Sequence, residues 1–160
     1  VDTGVEAYPG LWIFDVSNPS RPRLLESAIA LPAQDLFVSG DYLYAVTRIH
    51  YPGLFVFDVS DPSKPKQVAH AESYGGMSIC ISGNYAYIPD EKIRTDWDGW
   101  GDDGVRIVDV SEPASPVGLF LYKGLKEVTD VSLEGDQVIV RGREAEGQEA
   151  GLYALKYVPD

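Results

Sequence analysis

Leu54-Phe-Val-Phe-Asp-Val-Ser-Asp-Pro-Ser-Lys-Pro65 is the stretch that decides the fold. A short apolar run leads into an Asp-Val-Ser-x-Pro turn, and the same arrangement recurs at Leu11 to Pro22 and at Val105 to Pro116. Self-similarity at this period means that the chain is an array of one supersecondary unit. Phe14, Phe57 and Val108 hold matching places 43 and 51 residues apart, and Ala154 is placed in a worn fourth copy 46 residues further on. A second marker keeps step with the first: Ser39-Gly-Asp-Tyr42 returns as Ser82-Gly-Asn-Tyr85 and, altered, as Glu134-Gly-Asp-Gln137.

Between the markers lie runs rich in Val, Ile, Phe, Tyr and Leu, bounded by Gly, Pro, Asn and Asp, which is the composition of strands and tight turns. One unit reads as four strands over residues 35–72: Asp35 to Ser39, Tyr42 to Thr47, Leu54 to Val59 and Pro65 to Ala71. Gly40-Asp41 and Gly83-Asn84 suit two-residue hairpins, because glycine takes positive φ without steric cost. The third strands are apolar on both faces, as in Leu54-Phe-Val-Phe57 and Leu11-Trp-Ile-Phe14, so each is expected between two neighbouring sheets. The fourth strands open with Pro22, Pro65 and Pro116 and are read as charged outer edges, since proline cannot donate to a ladder. The expected fold is all-β: four-stranded antiparallel β-propeller blades with repeats of roughly 43 residues, about three to three and a half blades in this chain. The expected blades are 1–29 (partial), 35–72, 76–122 and 127–157 (partial), in a single domain.

At these residues the chain resembles the LVIVD-repeat family of β-propellers. Leu54-Phe-Val-Phe-Asp-Val-Ser-Asp-Pro-Ser-Lys-Pro65 and Ser82-Gly-Asn-Tyr-Ala-Tyr87 carry the likeness most closely, and Leu152-Tyr-Ala-Leu-Lys-Tyr157 departs from it by lacking the Asp-Val-Ser turn. The resemblance implies the propeller fold and an extracellular or cell-surface setting. It implies no catalytic residue, because the motif residues read as structural.

Thirteen strands are expected, beginning inside one blade and stopping inside another, so the ring is read as part of a larger propeller. Chains that complete one another and a self-closed four-blade ring are the alternatives. The start at Val1, with neither Met nor a leader pattern, is read as a trimmed product. Acidic residues outnumber basic ones 25 to 13 for a formal charge of -12, a field that opposes a nucleic-acid partner. No apolar run approaches the roughly 20 residues of a spanning helix, so no membrane insertion is expected. The single cysteine, Cys80, excludes an internal disulfide and reads as a small buried apolar side chain.

Chemistry, if present, belongs on the side where strand two runs into strand three, because those loops vary while the opposite turns repeat. Asp15, Asp58 and Asp109 read as turn residues bonding nearby backbone N–H groups. The loop Asp90 to Gly104 gathers Asp96, Asp98, Asp102 and Asp103 among glycines, a candidate calcium site that lacks the EF-hand spacing. A solvated acidic loop is the plainer reading of the same residues. Arg48, His50, Tyr51, Trp97, Trp100 and Arg141 are the candidate contact residues, from loops 48–52, 90–104 and 141–150. Exposed aromatics often mark a contact surface, and packing of Trp97 and Trp100 down over the blade top is the equal alternative. His50 and His70 lack a third ligand for zinc, and no Ser–His–Asp order or phosphate loop is evident.

Three functions compete. A non-catalytic binding or scaffold module would present the variable loop face to a protein or glycan. A propeller enzyme would keep its site in the central channel, where Gln34, Asp35, Gly75, Gly76, Glu127 and Asp130 supply polarity. A structural subunit would join further blades, from the same or another chain, through its strand edges.

Overall fold

The computed structural model describes residues 10–48, 52–71, 76–90, 104–135, 137–144 and 149–155. Among these there is no helix, and thirteen strands form four antiparallel sheets. The first sheet pairs β1 (Leu11–Asp15) with β2 (Arg23–Ile29). The second runs β3 (Ala33–Ser39), β4 (Tyr42–Thr47), β5 (Gly53–Asp58) and β6 (Lys66–Ala71), each strand bonded to the next in sequence. The third repeats that order with β7 (Cys80–Ser82), β8 (Tyr85–Asp90), β9 (Gly104–Asp109) and β10 (Val117–Tyr122). The fourth has three strands, β11 (Lys126–Glu134), β12 (Gln137–Arg143) and β13 (Gly151–Leu155). These sheets are propeller blades, A to D below, and they do not close into a ring among the described residues.

The hairpin glycines behave as their turns require: Gly40, Gly83 and Gly135 have φ of 57°, 57° and 63°, where an L side chain is strained. Blades stack because the middle strands carry apolar side chains on the faces that meet a neighbouring blade. In β4 and β5, Leu43, Ala45, Phe55 and Phe57 pack toward blade A with Leu11 and Leu31, while Tyr44, Val46, Leu54 and Val56 pack toward blade C. Blade C repeats the division: Ala86, Ile88 and Val108 face B, and Tyr87 and Val105 face D, where Val138 and Val140 meet them. The core is therefore three apolar layers between four sheets.

Pro65 and Pro116 each stand one residue before an outermost strand, as expected for residues that cannot join a ladder. The expectation of a polar outer edge fails in blade C, where Val117, Leu119 and Phe120 of β10 are exposed apolar side chains. The expectation that every third strand is covered on both faces fails in blade A, where Trp12 is 55% and Phe14 49% exposed. The match of Ala154 to Phe57 is also corrected. Gly151 pairs with Gly142 as Gly53 pairs with Thr47, and Tyr153 and Leu155, rather than Ala154, pack toward the preceding blade. Leu155 is thus the counterpart of Phe57; in a strand a one-residue slip exchanges the two faces.

Candidate functional site

The side of the stack opposite the repeated turns bears the connections from β4 to β5, β8 to β9 and β12 to β13. They contain 5, 13 and 7 residues. The turns on the other side are uniform. The Asp15 carboxylate accepts the Ser17 N–H at 2.9 Å, Asp58 the Ser60 N–H at 2.9 Å and Asp109 the Ser111 N–H at 2.8 Å. The Ser17 N–H, then its hydroxyl, holds Asp15 below the usual carboxylate range. For Asp58 and Asp109 the serine hydroxyl is the larger cause and the N–H the next. These aspartates are turn residues, as the sequence suggests.

On the variable side, Arg48 follows β4 and donates from Nη1 to the Met77 sulfur at 3.4 Å, bridging blades B and C. His50, Tyr51, Trp97 and Trp100 lie outside the described residues, as do the candidate calcium ligands Asp96, Asp98, Asp102 and Asp103. Arg141 is corrected from loop to strand: it lies within β12, opposite Asp130 and Leu152, exposed on the face turned away from blade C. Arg48 and Arg141 therefore belong to different blades, and no described contact joins them.

Asp90, taken in sequence as the head of the acidic loop, is instead the last residue of β8 and fully buried. Its Oδ2 accepts from Arg106 Nε at 2.9 Å and from Arg106 Nη2. The pair occupies the places that Thr47 and Phe55 fill in blade B. A charged pair has replaced a neutral one on the face of blade C that meets blade B.

The second polar feature is a seam along the innermost strands. Asp35, Ser78 and Asp130 each stand five residues before a hairpin glycine, Gly40, Gly83 or Gly135, so they are the same residue of the repeat. Asp35 Oδ2 accepts the Ile79 N–H of blade C at 2.9 Å, and Ser78 Oγ accepts the Val131 N–H of blade D at 3.3 Å. The rule is constant: the side chain at this place holds the backbone N–H one residue further along in the next blade. The Ser78 hydroxyl has one proton to donate, shared between Asp130 Oδ1 at 2.9 Å and the Val131 carbonyl at 3.1 Å. Glu127, with φ of 45°, pairs with Arg143 Nε at 3.1 Å.

Between these carboxylates lies Cys80. Burial, then the charges of Asp130 and Asp35, push its thiol up to about 12. A thiol held protonated is a packing residue rather than a nucleophile. Sequence reading took Asp35 and Asp130 as channel polarity and passed over Ser78. The signal was available in the fixed offset from the hairpin glycines.

Comparison with family models yields one described as LVIVD repeat, matching residues 7–29, 32–71, 76–93 and 98–123, well over half of the chain. Comparison with curated proteins finds no match.

Proposed function

Since the chain belongs to the LVIVD-repeat family, we propose that it is a non-catalytic binding or scaffold propeller that meets its partner on the face of the strand-two-to-three connections. The observation that carries this reading is the contrast between the two sides of the stack. Connections of 5, 13 and 7 residues share one side, while the turns on the other repeat one Asp-to-Ser bond. A rigid scaffold that varies only one set of loops is arranged to display them. The polar side chains near the axis support it too, because Asp35 and Ser78 are engaged in holding the next blade.

The partner is a protein or a glycan, at the outside of a cell. The charge of -12 favours a basic surface or one bridged by a cation, with calcium at Asp96, Asp98, Asp102 and Asp103 as the candidate ion. Trp97 and Trp100 are the aromatic anchors of the longest connection, and such residues carry much of the energy where a partner buries them. The test is the double substitution Trp97→Ala and Trp100→Ala, assayed on protein and glycan arrays and by thermal melting. Loss of a ligand bound by the parent chain, with the melting temperature kept, is expected. A large fall in melting temperature would mark both tryptophans as core, and turnover of a small substrate would replace this reading with the central-channel enzyme.

A further inference from the structure

The chain has a single methionine, Met77, and it stands where blades B, C and D meet. The ladder of blade C starts only at Cys80, opposite Tyr87, so Met77 precedes the innermost strand. The backbone around it is nonetheless held from three directions. Gly76 sits so close to β8 that a Cβ there would collide with the Ile88 side chain. On the other side of Met77, the Ser78 hydroxyl donates to Asp130 and Val131 of blade D, and the Ile79 N–H donates to Asp35 of blade B. Met77 itself belongs to none of the apolar layers and is 43% exposed.

Its sulfur accepts from Arg48 Nη1 at 3.4 Å. A thioether is a weak acceptor, so the guanidinium gains little from this contact. An oxygen bound to that sulfur would carry far more negative charge and would accept a charge-assisted hydrogen bond from the same donor. The setting also tolerates the change. Oxidation of a core methionine forces a polar group among apolar ones, whereas Met77 lies outside the core. The other sulfur of the chain, on Cys80, is buried and its thiol stays protonated, which withholds the thiolate that oxidants attack.

We propose that Met77 is a reversible oxidation site, whose sulfoxide takes a charge-assisted hydrogen bond from Arg48 and so fastens blade B to blade C. The oxidant is a small peroxide. A sulfur lone pair attacks the nearer oxygen of hydrogen peroxide, an S–O bond forms and the O–O bond breaks. The departing hydroxide takes the proton from the transferred oxygen and leaves as water. Sulfur is oxidised by two electrons and the peroxide is reduced by the same two. Arg48 follows β4 and opens its connection to β5, so the oxidised sulfur ties that connection more firmly to blade C. This fastening does not depend on which partner the loop face meets.

The test treats the intact chain with hydrogen peroxide, following Met77 by peptide mass spectrometry and the fold by thermal melting. Addition of one oxygen at Met77 is expected, with a rise in melting temperature of about 2 °C. Arg48→Ala should gain the same oxygen without the rise, and Arg48→Lys, which keeps a cationic donor, should recover part of it. Met77→Leu should melt at one temperature with or without peroxide, which assigns the shift to this side chain. Methionine sulfoxide reductases should return the parent chain to its starting value. The proposal is overturned if Met77 stays unmodified under conditions that consume free methionine, or if oxidation fails to raise the melting temperature of the parent. It is equally overturned by a rise that persists after reduction, or by one of the same size in Arg48→Ala or Met77→Leu.

Discussion

β1 and β5 are the same strand of the repeat, yet they are buried to different degrees. Phe55 and Phe57 of β5 are 8% and 3% exposed, because blade A covers their face. Trp12 and Phe14 occupy the matching places in β1 and stand about half exposed. Nothing in the local sequence distinguishes the two pairs: each is a large aromatic on an alternating strand that ends in Asp-Val-Ser. What separates them is the neighbouring sheet. In a stack of blades an apolar side chain is core only when the next blade reaches it, so each blade depends on its neighbours for its hydrophobic stabilisation. The same lesson applies within blade B. Leu36 and Val38 of β3 lie on the face turned toward blade A but are exposed, since the two described strands of blade A do not reach that far inward.

The widest gap is expected between Phe57→Ala and Phe14→Ala. The first should cost about 3–5 kcal/mol, as for a large aromatic removed from a packed core, and the second under about 1 kcal/mol, as for a surface change. Urea unfolding of both variants reads the difference directly. Equal losses would mean that the face of β1 is covered in solution.

The Asp90–Arg106 pair sharpens the comparison between blades B and C. Arg106→Phe alone leaves the buried Asp90 carboxylate without its guanidinium and should cost about 3–5 kcal/mol. Adding Asp90→Thr rebuilds the Thr47 and Phe55 arrangement of blade B, and most of that loss should return. Denaturant curves for the two singles and the double measure the coupling. A double variant no better than Arg106→Phe would show that blade C cannot accept the neutral pair of blade B.

Strand-opening glycines should separate by about 1–3 kcal/mol. Gly104→Ala drives a Cβ into the backbone of the fourth strand and is expected to lose that amount. Gly151→Ala, where no such strand lies among the described residues, should be close to neutral by the same melting assay. Along the axis, Ser78→Ala leaves the Val131 N–H without its acceptor and should cost about 1–2 kcal/mol. Amide exchange at Val131 should rise with it, which a general loss of stability would not confine to that residue.

The smallest effect concerns acid. Asp58 and Asp109 ionise below the usual carboxylate range in the folded chain, so their contribution is present above the unfolded value near pH 4. It is lost as pH falls through the lower folded value. Asp58→Asn with Asp109→Asn keeps a carbonyl acceptor for each turn and removes the titration. Stability of this variant between pH 5 and pH 2 should fall less steeply than that of the parent, and an identical slope would assign the acid sensitivity to other carboxylates.

The strands, hairpins, repeated turns and blade order follow from local rules, and so they are written in short stretches of the chain. Glycine must take the positive φ of the hairpin, proline stays out of the ladder, and aspartate caps the turn two residues on. The buried state of Cys80 was legible as well, from its place on an apolar inner strand. The offset of Asp35, Ser78 and Asp130 from the hairpin glycines was visible, but not its purpose. Their partners Ile79 and Val131 are 44 and 53 residues away in the chain and meet them only when blades stack. Asp90 read as the start of an acidic loop because its partner Arg106 lies beyond a long connection; pairing β8 with β9 brings the two together. The exposure of Trp12 and Phe14 was likewise invisible. A sequence pattern states which side chains are apolar, and only the packing of one sheet on another decides which of them are covered.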